Sequence, residues 1–174
     1  MLAALAYIMT VFIRIPVVLF LEYEPKDVVI TIGGFIFGPI ASAVISLVVS
    51  LVEMVTISDT GIIGCFMNFL STCAFSCTAA LIYKKRHSMK GAALGLLTGI
   101  ISMTVIMLLW NYIVTPFYMG VPREAVAELL IPAILPFNLL KSVLNSGIIM
   151  LLYKPVVTAL RSAHLLPAQT EGPK

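Results

Sequence analysis

Charged residues are scarce in this sequence: they occupy 11% of its 174 positions, whereas 60% of the residues are hydrophobic. Soluble domains contain about 25% charged residues, so this chain lacks the polar surface that a soluble globule requires. The hydrophobic content also excludes intrinsic disorder. The net charge is only +3, and no basic stripe alternates with aromatic residues, which argues against nucleic-acid binding. The composition indicates a membrane protein that crosses the bilayer several times.

Patterns of residues that would indicate catalysis or metal binding are also missing. The three cysteines, Cys65, Cys73 and Cys77, lie in one apolar stretch and form neither a disulfide framework nor a CxxC motif. The sequence contains no HExxH, GxSxG or Walker A motif. We therefore expect a protein that is not an enzyme and that holds no metal or cofactor.

The chain contains five long apolar runs. They cover residues 1–21, 28–57, 61–83, 91–119 and 125–153. A transmembrane helix needs about 20 apolar residues, so each run is long enough to cross a bilayer.

The run 28–57 is too long for one helix and contains Gly38-Pro39. Proline favours the first turn of a helix, which predicts a short helix over 27–37 and a full one over 39–57. The fold class is then an all-α integral membrane protein with six transmembrane helices and a short second helix. We expect a single domain over residues 1–160 and a polar cytoplasmic tail over 161–174.

The distribution of basic residues predicts the orientation. One side of the predicted membrane holds Lys84, Lys85, Arg86, Lys90, Lys154, Arg161 and Lys174. The other side holds only Lys26 and Arg123. Because cytoplasmic loops are enriched in Lys and Arg, this asymmetry predicts that both termini lie in the cytoplasm of a multi-pass plasma-membrane protein.

Ionisable residues inside the predicted spans are candidates for function, because charge is costly in the bilayer. Asn138 and Lys141 are three residues apart and share one helix face, which favours a site for a polar small molecule. The alternative is a structural Lys141 paired with Glu53. Glu53 is expected to pair with Arg14 or Lys141, and the alternative is that it extends towards the membrane surface. Arg14 is expected to pair or to extend towards that surface, and the alternative is that it contacts a ligand.

Two further amides and one loop complete the candidate site. Asn68 and Asn111 are predicted to lie at the same depth as Asn138 and Lys141, although each amide could instead make an interhelical hydrogen bond. The charged loop 21–27 is either a solvated connector or a lid over an outward-facing pocket.

Several of these segments resemble a known family. Residues 21–27 (LEYEPKD) and 32–39 (IGGFIFGP) resemble the substrate-binding S component of energy-coupling factor (ECF) vitamin transporters. A more specific resemblance, to the riboflavin-specific, RibU-type branch of this family, lies in residues 59–64 (DTGIIG), 68–69 (NF), 110–112 (WNY) and 136–141 (PFNLLK). The resemblance covers nearly the whole chain.

The resemblance implies a six-helix subunit that captures riboflavin, or its phosphate FMN, outside the cell. It places the main ligand contacts on Asn111, Asn138 and Lys141, and secondary contacts on Asn68, Leu21 and Asp27. Riboflavin would be the transported ligand and not a cofactor. The implied partners are a transmembrane scaffold subunit and two cytoplasmic ATPase subunits, which hydrolyse the ATP.

The family docks its scaffold through a small-xxx-small face on the first helix, where backbones approach closely. Ala4 would be the second small residue of such a pair, and its partner would precede Met1. Ala6 and Thr10 form an alternative pair four residues apart.

Three other functions remain open at this point. The chain could be an S component for another vitamin, such as pantothenate, thiamine or folate. It could be a small intramembrane enzyme that uses Lys141 and Glu53, or a structural subunit whose interior is filled by side chains.

Overall fold

The computed structural model describes residues 1–18, 21–57 and 61–162. The elements in chain order are α1 (Leu2–Phe12), β1 (Ile15–Val18), β2 (Leu21–Tyr23), α2 (Lys26–Phe37), α3 (Pro39–Thr56), α4 (Gly61–Lys85), α5 (Met89–Met119), α6 (Arg123–Leu129), a π-helical turn (Leu130–Ile134) and α7 (Leu135–Ser162). Because α6, the π-helical turn and α7 follow without a break, the described residues contain six helical segments, as expected. The predicted tail falls partly on the end of α7 and otherwise on 163–174, outside the described residues.

The predicted break between the second and third helices is confirmed. Gly38 has a φ of 93°, a left-handed conformation that side-chain-bearing residues rarely adopt, and Pro39 is the first residue of α3. The chain therefore leaves α2 at a glycine and re-enters a helix at a proline, as the spacing of these two residues indicates.

The expectation of one helix over residues 1–21 is wrong. The first helix, α1, ends at Phe12, and β1 and β2 form an antiparallel hairpin in which Ile15 pairs with Tyr23. Pro16 explains the difference, because its ring disfavours a helical conformation at Ile15 and its nitrogen cannot donate a hydrogen bond. At 11 residues, α1 is about 16 Å long, about half the thickness of a bilayer core.

Four helical segments of the described chain are long and apolar enough to cross a membrane: Pro39–Thr56, Gly61–Lys85, Met89–Phe117 and Arg123–Val156. Their outward faces carry large apolar side chains such as Val55, Ile62 and Leu151. Many hydroxyl groups face inward instead, for example those of Ser42 and Ser76. Apolar side chains outside and hydrogen-bonded polar groups inside are the arrangement that a lipid environment favours.

Candidate functional site

An open cavity lies at the end of the molecule that carries the hairpin, and the space between its lining residues, open solvent included, is about 900 Å³. Residues of α3, α4, α5 and α7 line it together with residues of the hairpin segment. Polar groups on the walls come from Asn68, Ser71, Thr115, Asn138 and Lys141. Charged groups come from Arg14, Glu22, Glu24 and Glu53. Apolar surface comes from Leu21, Ile57, Ile63, Met67, Met107, Val114 and Phe137.

Asn138 and Lys141 lie on one face of α7 and both line the cavity, as their spacing predicts. Asn138 is buried, and its amide nitrogen donates to the carbonyl oxygen of Ile134, 2.8 Å away. In the described part of the chain no donor is bonded to the side-chain oxygen of Asn138. This oxygen can therefore accept a hydrogen bond from a ligand, while the Lys141 ammonium can donate one.

Asp27 is not among the residues that line the cavity. The structure therefore does not place it for the direct ligand contact that the resemblance implies. Its fully buried carboxylate lies 3.6 Å from Lys141 Nζ. It also accepts hydrogen bonds from Thr72, at 2.7 Å, and from Asn145, at 3.2 Å. Asp27 therefore holds Lys141 from behind the cavity wall.

Tyr23 and Asn145, which the sequence did not single out, complete this group. The Tyr23 hydroxyl donates to Asn145 Oδ1 across 2.9 Å. Burial, together with the Asp27 carboxylate, raises the pKa of Tyr23, which keeps the hydroxyl protonated and able to donate. The hairpin is thereby joined to α7 directly behind Lys141.

Asn111 is fully buried but lies behind the cavity surface. Its amide nitrogen donates to the Met107 carbonyl oxygen at 2.8 Å, and its oxygen accepts from the Thr115 hydroxyl at 2.9 Å. Thr115 and Met107 both line the cavity, so Asn111 is hydrogen-bonded to two cavity-lining residues without lining the cavity itself. Because the hydroxyl proton of Thr115 is used by Asn111, Thr115 presents lone pairs to a ligand.

The loop 21–27 is not a solvated connector, since Leu21, Glu24, Lys26 and Asp27 are buried. Leu21 and Glu24 line the cavity, as expected of a lid. Asn68 also lines the cavity, and its amide nitrogen lies 3.4 Å from Oε2 of Glu53, the carboxylate that pairs with Lys26 of the loop. Leu21 and Asn68 are thus placed where the sequence predicts, at the cavity surface.

Charged pairs fasten this loop to the rest of the protein. Lys26 Nζ bonds to Glu24 Oε2 at 2.6 Å and also to Glu53. The expectation that Glu53 pairs with Arg14 or Lys141 is therefore wrong, because Lys26 is buried and reaches it from the start of α2. Arg14 pairs with Glu22 and donates to the Ile57 carbonyl oxygen at 2.8 Å.

Cationic neighbours favour the charged form of Glu24. Burial tends to raise the pKa of its carboxyl group, but the ammonium groups of Lys26 and Lys141 and the Arg14 guanidinium together lower the pKa below its ordinary value. The charged form is therefore the one that the fold stabilises.

The alternative docking pair is not available to a partner. Ala6 and Thr10 are fully buried, and Ala6 packs against Ile30 and Val49. The side of α1 that faces away from the protein carries Ala4 and larger residues such as Ile8. Of the predicted docking residues, only Ala4 is exposed.

The cavity lining combines apolar surface with hydrogen-bonding and charged groups. It offers aromatic and aliphatic surface, hydrogen-bond acceptors on Asn138 and Thr115, and a donor on Lys141. No group of three metal-ligating side chains occurs among the residues that the structure describes.

Comparison with known proteins identifies the family. The sequence model of the family described as "ECF transporter, substrate-specific component" matches residues 1–153. This chain belongs to that family. Members are substrate-binding transport subunits and not enzymes, and this member is a multi-pass membrane protein. The resemblance seen in the sequence is confirmed.

Two curated relatives are transporters of one vitamin. The chain is 32% identical to the riboflavin transporter RibU of Staphylococcus aureus (strain TCH60) over 171 residues, 92% of this chain and 89% of that protein. It is 28% identical to the riboflavin transporter FmnP of Bacillus subtilis (strain 168) over 158 residues, 84% and 83% of the two chains.

A solved structure supports the fold. The structure described as "Structure and mechanism of the S component of a bacterial ECF transporter" matches with a TM-score of 0.78 and 32% identity. The match covers 91% of this chain and 92% of that one.

Proposed function

We propose that this chain is the riboflavin-binding S component of an ECF-type vitamin importer. The observation that carries the proposal is the cavity that Asn138 and Lys141 line together with apolar surface from Leu21, Met107 and Phe137. The isoalloxazine ring has carbonyl oxygens and an N–H group along one edge and broad apolar faces. Lys141 can donate to a ring carbonyl, Asn138 can accept from the ring N–H, and the faces can pack on the apolar wall.

The cavity opens outward in this proposal, with both termini in the cytoplasm. Gly64, near the start of α4, lines the cavity, whereas α4 ends at the basic turn. Lys84, Lys85, Arg86 and Lys90 of this turn are all exposed. Since Lys and Arg mark the cytoplasmic side, the cavity lies at the external end of the single domain.

Uptake then requires partners that this chain lacks. A transmembrane scaffold subunit and two cytoplasmic ATPases would bind the S component and convert ATP hydrolysis into release of riboflavin on the inside. Ala4 remains the small residue on the exposed side of α1 where a scaffold helix could approach.

Riboflavin binding is tested by titrating the detergent-purified protein and following quenching of flavin fluorescence. We expect Asn138→Ala to weaken binding about tenfold, because it removes a buried acceptor whose hydrogen bond contributes about 1 kcal/mol or more. Val143→Ala, an exposed position on the same helix, is the control and should bind like the wild type.

The same titration separates the vitamins. Absence of quenching by the wild type, combined with protection against heating by pantothenate, thiamine or folate, would replace riboflavin by that vitamin. FMN, included as a competitor, measures whether the phosphate is accepted.

A further inference from the structure

A series of polar contacts joins the hairpin to the lysine of the cavity. The Tyr23 hydroxyl, at the end of β2, donates to Asn145 Oδ1 over 2.9 Å, and Asn145 Nδ2 donates to Asp27 Oδ2 over 3.2 Å. The same carboxylate oxygen lies 3.6 Å from Lys141 Nζ. These consecutive contacts connect a side chain of the hairpin with a side chain that lines the cavity.

The two side chains in the middle of this series have little freedom to rearrange. Asn145 and Asp27 are fully buried, and the second carboxylate oxygen of Asp27 accepts a hydrogen bond from Thr72 at 2.7 Å. If the Asn145 amide turned over, its oxygen would face the Asp27 carboxylate, and two acceptors would meet without a hydrogen between them. Because the Tyr23 hydroxyl donates to the amide oxygen, it stabilises the orientation in which Asn145 can donate to Asp27.

Tyr23 is placed to act on the cavity without contacting its contents. Its side chain is half-buried and is not among those that line the cavity. Leu21, two residues earlier on β2, lines the cavity and belongs to one buried apolar cluster with Ile134 and Phe137. The hairpin therefore reaches the segment that carries Lys141 at two places, through Leu21 at the cavity surface and through Tyr23 behind it.

Lys141 benefits from such support because a lysine ammonium is carried by a flexible four-carbon stem. A ligand that has to order this stem on binding loses affinity to the entropy cost, whereas a lysine that is already held does not impose that cost. Since Asp27 faces the Lys141 ammonium, a group that fixes the Asp27 carboxylate also restricts the ammonium. Asn145 follows Lys141 by four residues and lies on the same face of α7, which places its amide beside that carboxylate.

We infer that Tyr23 and Asn145 are positioning residues of the binding site, which hold Asp27, and through it Lys141, in the arrangement that receives the ligand. The hairpin then contributes to affinity by two routes, directly through Leu21 and indirectly through the Tyr23 hydroxyl. This inference rests on the proposed riboflavin function and assigns no ligand contact to Tyr23 or Asn145.

Tyr23→Phe tests the inference, because it keeps the ring of the hairpin residue and removes the hydroxyl. We expect riboflavin to bind about fivefold more weakly in the quenching titration, as for loss of one hydrogen bond. Tyr7→Phe is the matched control. It removes another tyrosine hydroxyl whose hydrogen bond, to Thr56 Oγ1, is also 2.9 Å long, and neither residue lines the cavity. This variant should bind riboflavin like the wild type.

A double-mutant cycle with Lys141→Met separates positioning of the lysine from a purely structural role of Tyr23. If Tyr23 acts through Lys141, the loss of about fivefold should disappear when Tyr23→Phe is made in Lys141→Met. Because Lys141→Met leaves the Asp27 charge unpaired, Asp27→Asn with Lys141→Met serves as a second background in which both charges are removed. Tyr23→Phe should be without effect on affinity there too, and melting curves check that each variant is folded.

Two results would overturn the inference. One is wild-type affinity in Tyr23→Phe, and the other is an equal loss with and without Lys141, which would mean that Tyr23 acts on the ligand by another route. Failure of the wild type to bind riboflavin is a different outcome, because it contradicts the proposed function. The same cycle, titrated with the vitamin that protects the wild type against heating, would then decide the inference.

Discussion

Four asparagines, half-buried Asn68 and the buried Asn111, Asn138 and Asn145, differ in what they contact, and the difference comes from the helices around them. The sequence marks Asn68, Asn111 and Asn138 because an amide inside an apolar run needs a partner. It cannot tell that the Asn111 oxygen accepts from Thr115, whereas Asn138 lines the cavity and uses only its amide nitrogen in the described residues. Asn145 was missed, since its partners Tyr23 and Asp27 lie more than 100 residues away in the chain.

Asp27 pairs with the cavity residue Lys141 without lining the cavity itself, and this arrangement gives a testable prediction. Asp27→Asn should lower both the melting temperature and the riboflavin affinity. It removes the charge that faces Lys141 and puts an amide hydrogen against donors from Thr72 or Asn145. Breaking a buried pair costs about 3–5 kcal/mol.

Melting curves and flavin titrations of the detergent-purified variant measure these two effects. Glu124→Gln, which changes an exposed carboxylate, should leave both values unchanged. If Asp27→Asn bound riboflavin like the wild type, Asp27 would have no part in positioning Lys141.

The sequence predicts the lengths of the long helices and the position of the break between α2 and α3. It does not predict which helices pack closely against one another. The long runs and the Gly38-Pro39 break correspond to observed elements. Hydropathy does not reveal that α1 ends at Phe12, because the apolar run continues past Arg14 and Pro16 to Leu21. The hairpin depends on the ion pair between Arg14 and Glu22 and on the strand pairing of Ile15 with Tyr23. Hydropathy reveals neither contact.

The contact between α4 and α5 gives a prediction for these elements. Gly95 and Gly99 are four residues apart, and each approaches the backbone of α4. A side-chain Cβ at Gly95 would lie 2.6 Å from the carbonyl oxygen of Ala79, so Gly95→Ala would push the two helices apart. We expect a loss of about 1–3 kcal/mol, seen as a lower melting temperature.

Gly147→Ala in α7 is the matched control, since nothing lies within 4 Å of its added Cβ. Alanine favours a helix by up to about 1 kcal/mol over glycine, so this variant should melt at the same temperature or higher. Equal melting temperatures for the Gly95 and Gly147 variants would mean that the helices can separate slightly without cost.

The whole molecule has two chemically different ends, and this gives the last prediction. The cavity end carries the acidic hairpin and Glu128, whereas the far end of α4 carries Lys84, Lys85 and Arg86. In a cell, the positive end should face the cytoplasm. A membrane-impermeant maleimide should therefore label Glu128→Cys in intact cells, and should label Lys85→Cys only after the membrane is permeabilised. The native cysteines are buried or half-buried, and the unsubstituted protein measures their background labelling. The reverse pattern would place the cavity on the inside, and capture of riboflavin from outside by this conformation would then be impossible.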